Sequence, residues 1–191
     1  MTRMEQREKR RKEIMFSSLD IFIHKGYTAA RVEDIARAAG MSMGLLFHYF
    51  ESKEKLYEEL VLLGRTGPEA LLRGIKGDPL QFFRKAAREI IQYCKTRPFV
   101  AKMFVLMGQA QCNDAAPESV KKLLAEIDTI ALSAKIIRQG QRKGLIKNGN
   151  PSALATAFWG AMQGIAELIA LAPGASTPDS EWIVDILRRR N

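Results

Sequence analysis

Few residues in this chain are typed and spaced for covalent chemistry. It holds two histidines, His24 and His48, and two cysteines, Cys94 and Cys112. No HExxH, GxSxG, GxGxxG or GxxxxGKS/T pattern is present. The cysteines make neither a CxxC pair nor a metal-ligand spacing, so no metal and no cofactor are expected. Two lone thiols read as reduced core cysteines. Scattered Asp and Glu on helical stretches are usually solvated, and an enzyme is not expected. What the chain offers instead is charge for non-covalent contact. Arg3, Arg7, Lys9, Arg10, Arg11 and Lys12 stand against Glu5 and Glu8 at the N-terminus. Such a basic segment can reach phosphates, or it is simply a solvated end of the chain.

The elements behind these residues are short helices. A first helix is predicted from Glu5 to Lys25, with Ile14, Ser18, Ile21 and Phe22 on one face and Gly26 ending it. In Gly26–Leu60, Ile35, Ala36 and Ala39 recur at helical spacing, with Glu33 and Asp34 in the first turn, where the dipole favours negative charge. Gly40 suits the left-handed residue that closes a helix, and Ser42 suits the N-cap of the next. Leu46 and Phe50, four apart, can face a core together. Phe47, His48 and Tyr49 then fan around the outer side. Two short helices joined by a tight turn containing glycine form a helix-turn-helix, whose second helix enters the DNA major groove.

The order and spacing of GY-T, IA, AG, S-x-G, L-F-H-Y-F and S-K-E-x-L within this stretch resemble the DNA-binding segment of the TetR family of transcriptional repressors. Each piece alone is weak, but together and without a gap they are specific. The resemblance covers about residues 10 to 60. It implies that Ser42, Met43, Gly44, Leu45, Phe47, His48, Tyr49 and Lys53 face double-stranded DNA. Val32 stands where many members carry a Ser or Thr hydroxyl, and the neighbouring Arg31 is the candidate replacement. Bidentate base readout needs Arg, Asn or Gln. None stands on the second helix, where Met43 and Leu45 are apolar, so few base hydrogen bonds are expected, with more weight on thymine-methyl contacts and DNA shape.

Beyond Ser52, which should cap a fourth helix with Leu56, Leu60 and Leu63 on its apolar face, Gly64–Pro68 is the clearest interruption. The domains are therefore drawn as residues 1–63, which bind DNA, and 64–191, a larger helical domain. Later helical stretches start near Pro79, Pro98, Pro117 and Pro151, where proline is tolerated. One of them is predicted to run unbroken from Pro117 to Lys143, and a last one from Asp179 to Arg190. No strand alternation and no internal repeat are found, which makes an all-α chain. Phe82, Phe83, Tyr93, Met103, Phe104, Met107, Trp159, Met162 and Gln163 are either plain core or the lining of a small-molecule pocket. The resemblance favours the pocket. Glu167, four residues after Gln163, needs a partner if buried: a ligand, Arg84 or Arg88. Ala157, Gly160 and Gly164, with Ile183, Ile186 and Leu187, are the candidate homodimer seam. The resemblance places that seam on the last two long helices.

At 191 residues with 47% hydrophobic content, the chain is globular in composition. The net charge of +9 is unevenly spread. Residues 1–60 carry 11 Lys+Arg against 10 Asp+Glu, the remainder 19 against 11. The overall charge is thus a poor argument for DNA binding. The longest apolar run, Ala153–Ala172, is interrupted by Thr156, Gln163 and Glu167, so no membrane span is expected. Without an apolar leader, a cytoplasmic location is expected.

Overall fold

The computed structural model describes residues 1–73, 78–126, 128–172 and 174–189, with 67–73 as backbone only. Every regular element among them is a helix. The chain divides by its contacts into two compact units, Met1–Arg65 with Val105–Glu126, and Thr66–Phe104 with Ile127–Asn191.

In the first unit, α1 (Arg3–Ala29) starts two residues earlier than the sequence pattern predicts. Thr2 explains this: its Oγ1 accepts from Glu5 N at 3.2 Å, and the Glu5 carboxylate accepts from Thr2 N at 2.8 Å, a capping box. The basic N-terminal residues therefore lie on helical turns rather than on a loose arm. Gly26 interrupts α1 with φ 74, where a Cβ would be strained. Next come α2 (Val32–Ala38), α3 (Met43–Phe47) and α4 (Lys53–Arg73). The core is built from Ile14, Leu19, Phe22, Ile35, Leu46, Phe50, Leu56 and Leu60. In α4 the inward residues are Leu56, Tyr57, Leu60 and Val61. Leu63, assigned to that face from sequence, is exposed. Helix α4 also runs straight through Gly64–Pro68. Glycine in a helix costs only about 1 kcal/mol, which tertiary packing routinely overrides.

The helices α5 (Pro79–Thr96), α6 (Pro98–Gln111), α7 (Glu118–Ala125), α8 (Thr129–Arg142), α9 (Pro151–Leu171) and α10 (Ser180–Val184) follow. The single helix expected over 117–143 is two. Asp128 caps the second, its carboxylate accepting from Ala131 N at 2.7 Å. Ile127, between them, lies outside the described residues. The final helix is also shorter than expected. After α10 the backbone turns and pairs, with Lys147 N donating to Leu187 O at 2.9 Å in an isolated antiparallel bridge. Arg190 lies outside the described residues.

In the second unit α9 packs on α5, α8 and α10. Phe83, Phe158, Met162, Ile137 and Leu187 fill the centre. By length and composition α9 is apolar enough to cross a membrane, with mean hydropathy 1.4, and 22% of that window is buried. Its inward side carries this core, and its outward side is a row of small and apolar residues. Cys94 is buried as expected, but Cys112, at the end of α6, is exposed and no core cysteine.

Candidate nucleic-acid interface

The turn between α2 and α3 is set by two local devices. Gly40 adopts φ 64, the left-handed conformation that ends α2. Ser42 caps α3, its Oγ accepting from Leu45 N at 3.2 Å. Leu46 and Phe50 are buried below α3. A void of about 10 Å³ there is lined by Val32, Ile35, Leu46, Phe50 and one side of Phe47, at the lower limit for one water. The helix is thus seated firmly by its inner side. Outward, Met43, Leu45 and Phe47 are 43%, 42% and 48% exposed. Gly44, Ser42, His48 and Arg31 are exposed too, and Tyr49 is half-buried.

Three cations that the sequence marks for phosphate instead hold this motif in place. Arg11 donates to the Tyr49 carbonyl and, at 2.7 Å, to Glu59, with its guanidinium 4.4 Å from the Phe50 ring centre. Arg10 donates to the Ala39 carbonyl at 3.1 Å, at the end of α2. Lys53 donates to the carbonyls of Tyr27 and Ala30 at 2.8 and 2.9 Å and sits 4.5 Å from the Tyr27 ring centre. Burial in this niche lowers the Lys53 pKa. The carbonyls freed where α1 and α2 end thus find cationic donors. Asp34, buried in α2, accepts from Lys25 at 2.7 Å and Arg37 at 2.5 Å. These bonds, the one from Lys25 foremost, hold its carboxyl below the usual carboxylate range.

Sequence reasoning gave Arg10 and Arg11 either a phosphate role or a solvated end, and a signal for the third role was there. Arg11, Ile14, Met15 and Ser18 follow helical spacing, so Arg11 extends the buried stripe of α1 by one turn.

In the second unit, Phe82, Phe83, Phe104, Trp159 and Met162 share one apolar cluster. Phe83 and Phe158 meet edge to face at 4.9 Å, and Trp159 Nε1 donates to Ser133 Oγ at 2.8 Å. Phe83 and Met162 are fully buried, Met103 nearly so. Gln163 donates to the Phe104 carbonyl at 2.9 Å and to Glu167 at 2.7 Å. Glu167 therefore has a side-chain partner, and Arg84 pairs with Glu181 at 2.7 Å. Tyr93 is half-buried with the Arg97 guanidinium 4.9 Å from its ring centre, and Met107 belongs to the first unit. A cleft of about 540 Å³ is lined by Lys147, Asn148, Asp185, Arg188 and Arg189, none of them among the expected ligand residues.

Of the candidate seam, Ala157 and Gly160 are exposed and Gly164 is half-buried on the outward side of α9. Leu168 and Leu171, which the sequence reading left out, extend that row at 60% and 63% exposure. Ile183 and Leu187 point the other way. They are buried in this unit's own core, Ile183 on the inner side of α10 and Leu187 in the turn after it. Ile186 is half-buried.

Residues 14–60 match the family model of the bacterial regulatory proteins of the tetR family. The tetR-family match therefore holds for residues 14–60. The HTH-type transcriptional repressor NicS of Pseudomonas putida is 27% identical over 149 residues, 76% of this chain and 70% of that protein. The ketosteroid transcriptional regulator KstR2 of Mycobacterium tuberculosis superposes with a TM-score of 0.75 at 17% identity, covering 95% of this chain and 96% of that one. AibR, solved in complex with isovaleryl coenzyme A and operator DNA, gives 0.72 at 19% identity, covering 92% and 94%. At these identities the two structures establish likeness of fold.

Proposed function

We propose that this chain is a TetR-family repressor that binds a palindromic operator as a homodimer and releases it when a small, largely apolar molecule binds. The observation that carries this reading is α3 itself. Its inner residue Leu46, with Phe50 just beyond its end, is locked in the core while Met43 to His48 otherwise face solvent. A rigidly seated second helix with a free outer side is what major-groove docking requires. Residues 1–63 would bind DNA, with Arg31, Ser42, His48 and Tyr49 on phosphates, and 64–191 would hold the effector and the dimer seam. Lys53 has at most one N–H left for a phosphate. The outward row of α9, from Ala157 and Gly160 to Leu168 and Leu171, is the seam, and two-fold pairing there would present two α3 helices to a palindrome. The cytoplasm is the place for such a protein.

The effector reading draws support from relatives: NicS is a repressor, and AibR holds isovaleryl coenzyme A together with operator DNA. A second reading is favoured by one observation. Phe83, Phe158 and Met162 are fully buried against one another. A sealed core of this kind suits a DNA-organising or partner-controlled protein without a small effector.

Selection of bound sites from a random duplex library, followed by a screen of apolar acids and aromatic cations, separates the two. Tryptophan emission and operator affinity would be read together. A compound that moves both supports the repressor. Operator binding that no compound changes supports the organiser, and a library with no enriched site removes both.

A further inference from the structure

We infer that the operator half-site is read chiefly through thymine methyl groups, by Met43, Leu45 and Phe47. This rests on α3 being the recognition helix. Hydrogen-bonded readout of base edges uses mainly bidentate Arg, Asn or Gln, and α3 has none. The nearest cations are engaged elsewhere, and the exposed Arg31 and His48, with Tyr49, are the groups given to phosphates in the regulator reading. Ser42 Oγ caps the helix, and the side chains of Arg10, Arg11 and Lys53 are bound to main-chain carbonyls. Lys25 and Arg37 hold Asp34.

What remains on the outside of α3 is apolar. Three large side chains within five residues are 40–50% in water, although Leu46 and Phe50 already fill the space beneath. Grouped exposed apolar side chains mark a contact surface. On the second helix of a helix-turn-helix, that surface meets the major groove. The apolar group that base pairs display there is the thymine C5-methyl. Gly44 lies between the three, and a Cβ there would meet nothing within 4 Å. The backbone can therefore come close to the base edges and bring all three side chains down to methyl depth.

The test uses the wild-type protein and the site selected from the random library. Each thymine is replaced in turn by deoxyuridine, which lacks only the methyl, and affinity is read by fluorescence anisotropy. Loss of one buried methyl should weaken binding about four-fold, at two or more positions in each half-site. Met43→Ala or Leu45→Ala should then erase the thymine–uracil difference at one position and leave it at the others. Both residues are exposed, so these variants should melt like the wild type. Selected sites with no shared thymine, or equal affinity for uracil at every position, would overturn methyl readout while leaving the regulator reading intact. A library with no enriched site would overturn both and turn the apolar trio toward a protein partner.

Discussion

Gly44 separates folding from function at a single atom. Nothing lies within 4 Å of the Cβ that alanine would add, and the residue is helical. Gly44→Ala should therefore raise stability, by up to about 1 kcal/mol, while DNA affinity falls because the added methyl stands between the backbone and the groove. Thermal melting and operator titration on the same sample check both signs. Lys53 has the opposite balance. Lys53→Ala removes donors from the Tyr27 and Ala30 carbonyls and should cost about 1–3 kcal/mol. If its last N–H also holds a phosphate, the salt slope of binding falls by about one unit. A lowered melting temperature with an unchanged slope would assign Lys53 to the scaffold alone. The outward placement of Met43, Leu45, Phe47 and His48 was legible because helical period alone separates them from Leu46 and Phe50. The engagement of Lys53 was not, because its acceptors lie more than twenty residues away and become available only where α1 bends at Gly26.

Among elements, α9 is the one on which the proposed seam rests. Its outward row from Ala157 to Leu171 is apolar and small at helical spacing, and Gly160 and Gly164 leave room for a neighbour to come close. Leu168→Asp with Leu171→Asp should give monomers by sedimentation and abolish cooperative binding to a two-half-site operator. Folding should survive, since both leucines are exposed. A dimer that persists would move the seam off α9. Among the described residues, helical character was readable from period and proline placement. Helix ends were harder. The break before Asp128 depends on one capping carboxylate inside an otherwise continuous apolar pattern. The short α10 depends on main-chain pairing with Lys147, about forty residues earlier. Neither leaves a mark in local periodicity, and the second inverted the assignment of Ile183 and Leu187.

Across the molecule, carboxylates in both units are held below their usual range. Lys25 does this to Asp34, Lys55 to Glu58 and Arg84 to Glu181, each chiefly through a hydrogen bond. A depressed folded-state pKa gives stability that is present above the unfolded value and lost as pH falls through the folded one. Stability should thus hold from neutrality to about pH 5 and fall away below about pH 4. Asp34→Asn should flatten the acid limb in denaturant titrations at several pH values, and an unchanged limb would show that other carboxylates dominate it. The two thiols, finally, differ in a way that an experimenter can use. Burial pushes Cys94 up to about 11, whereas Cys112 is exposed at the end of α6. Thiolate is the reacting form, so a maleimide dye on the native protein should land on Cys112 alone. The wild-type chain already contains a single-site optical handle in the unit that carries α3. Energy transfer to that dye from the exposed Trp182 in the other unit could follow the two units through operator and effector binding without engineering a residue.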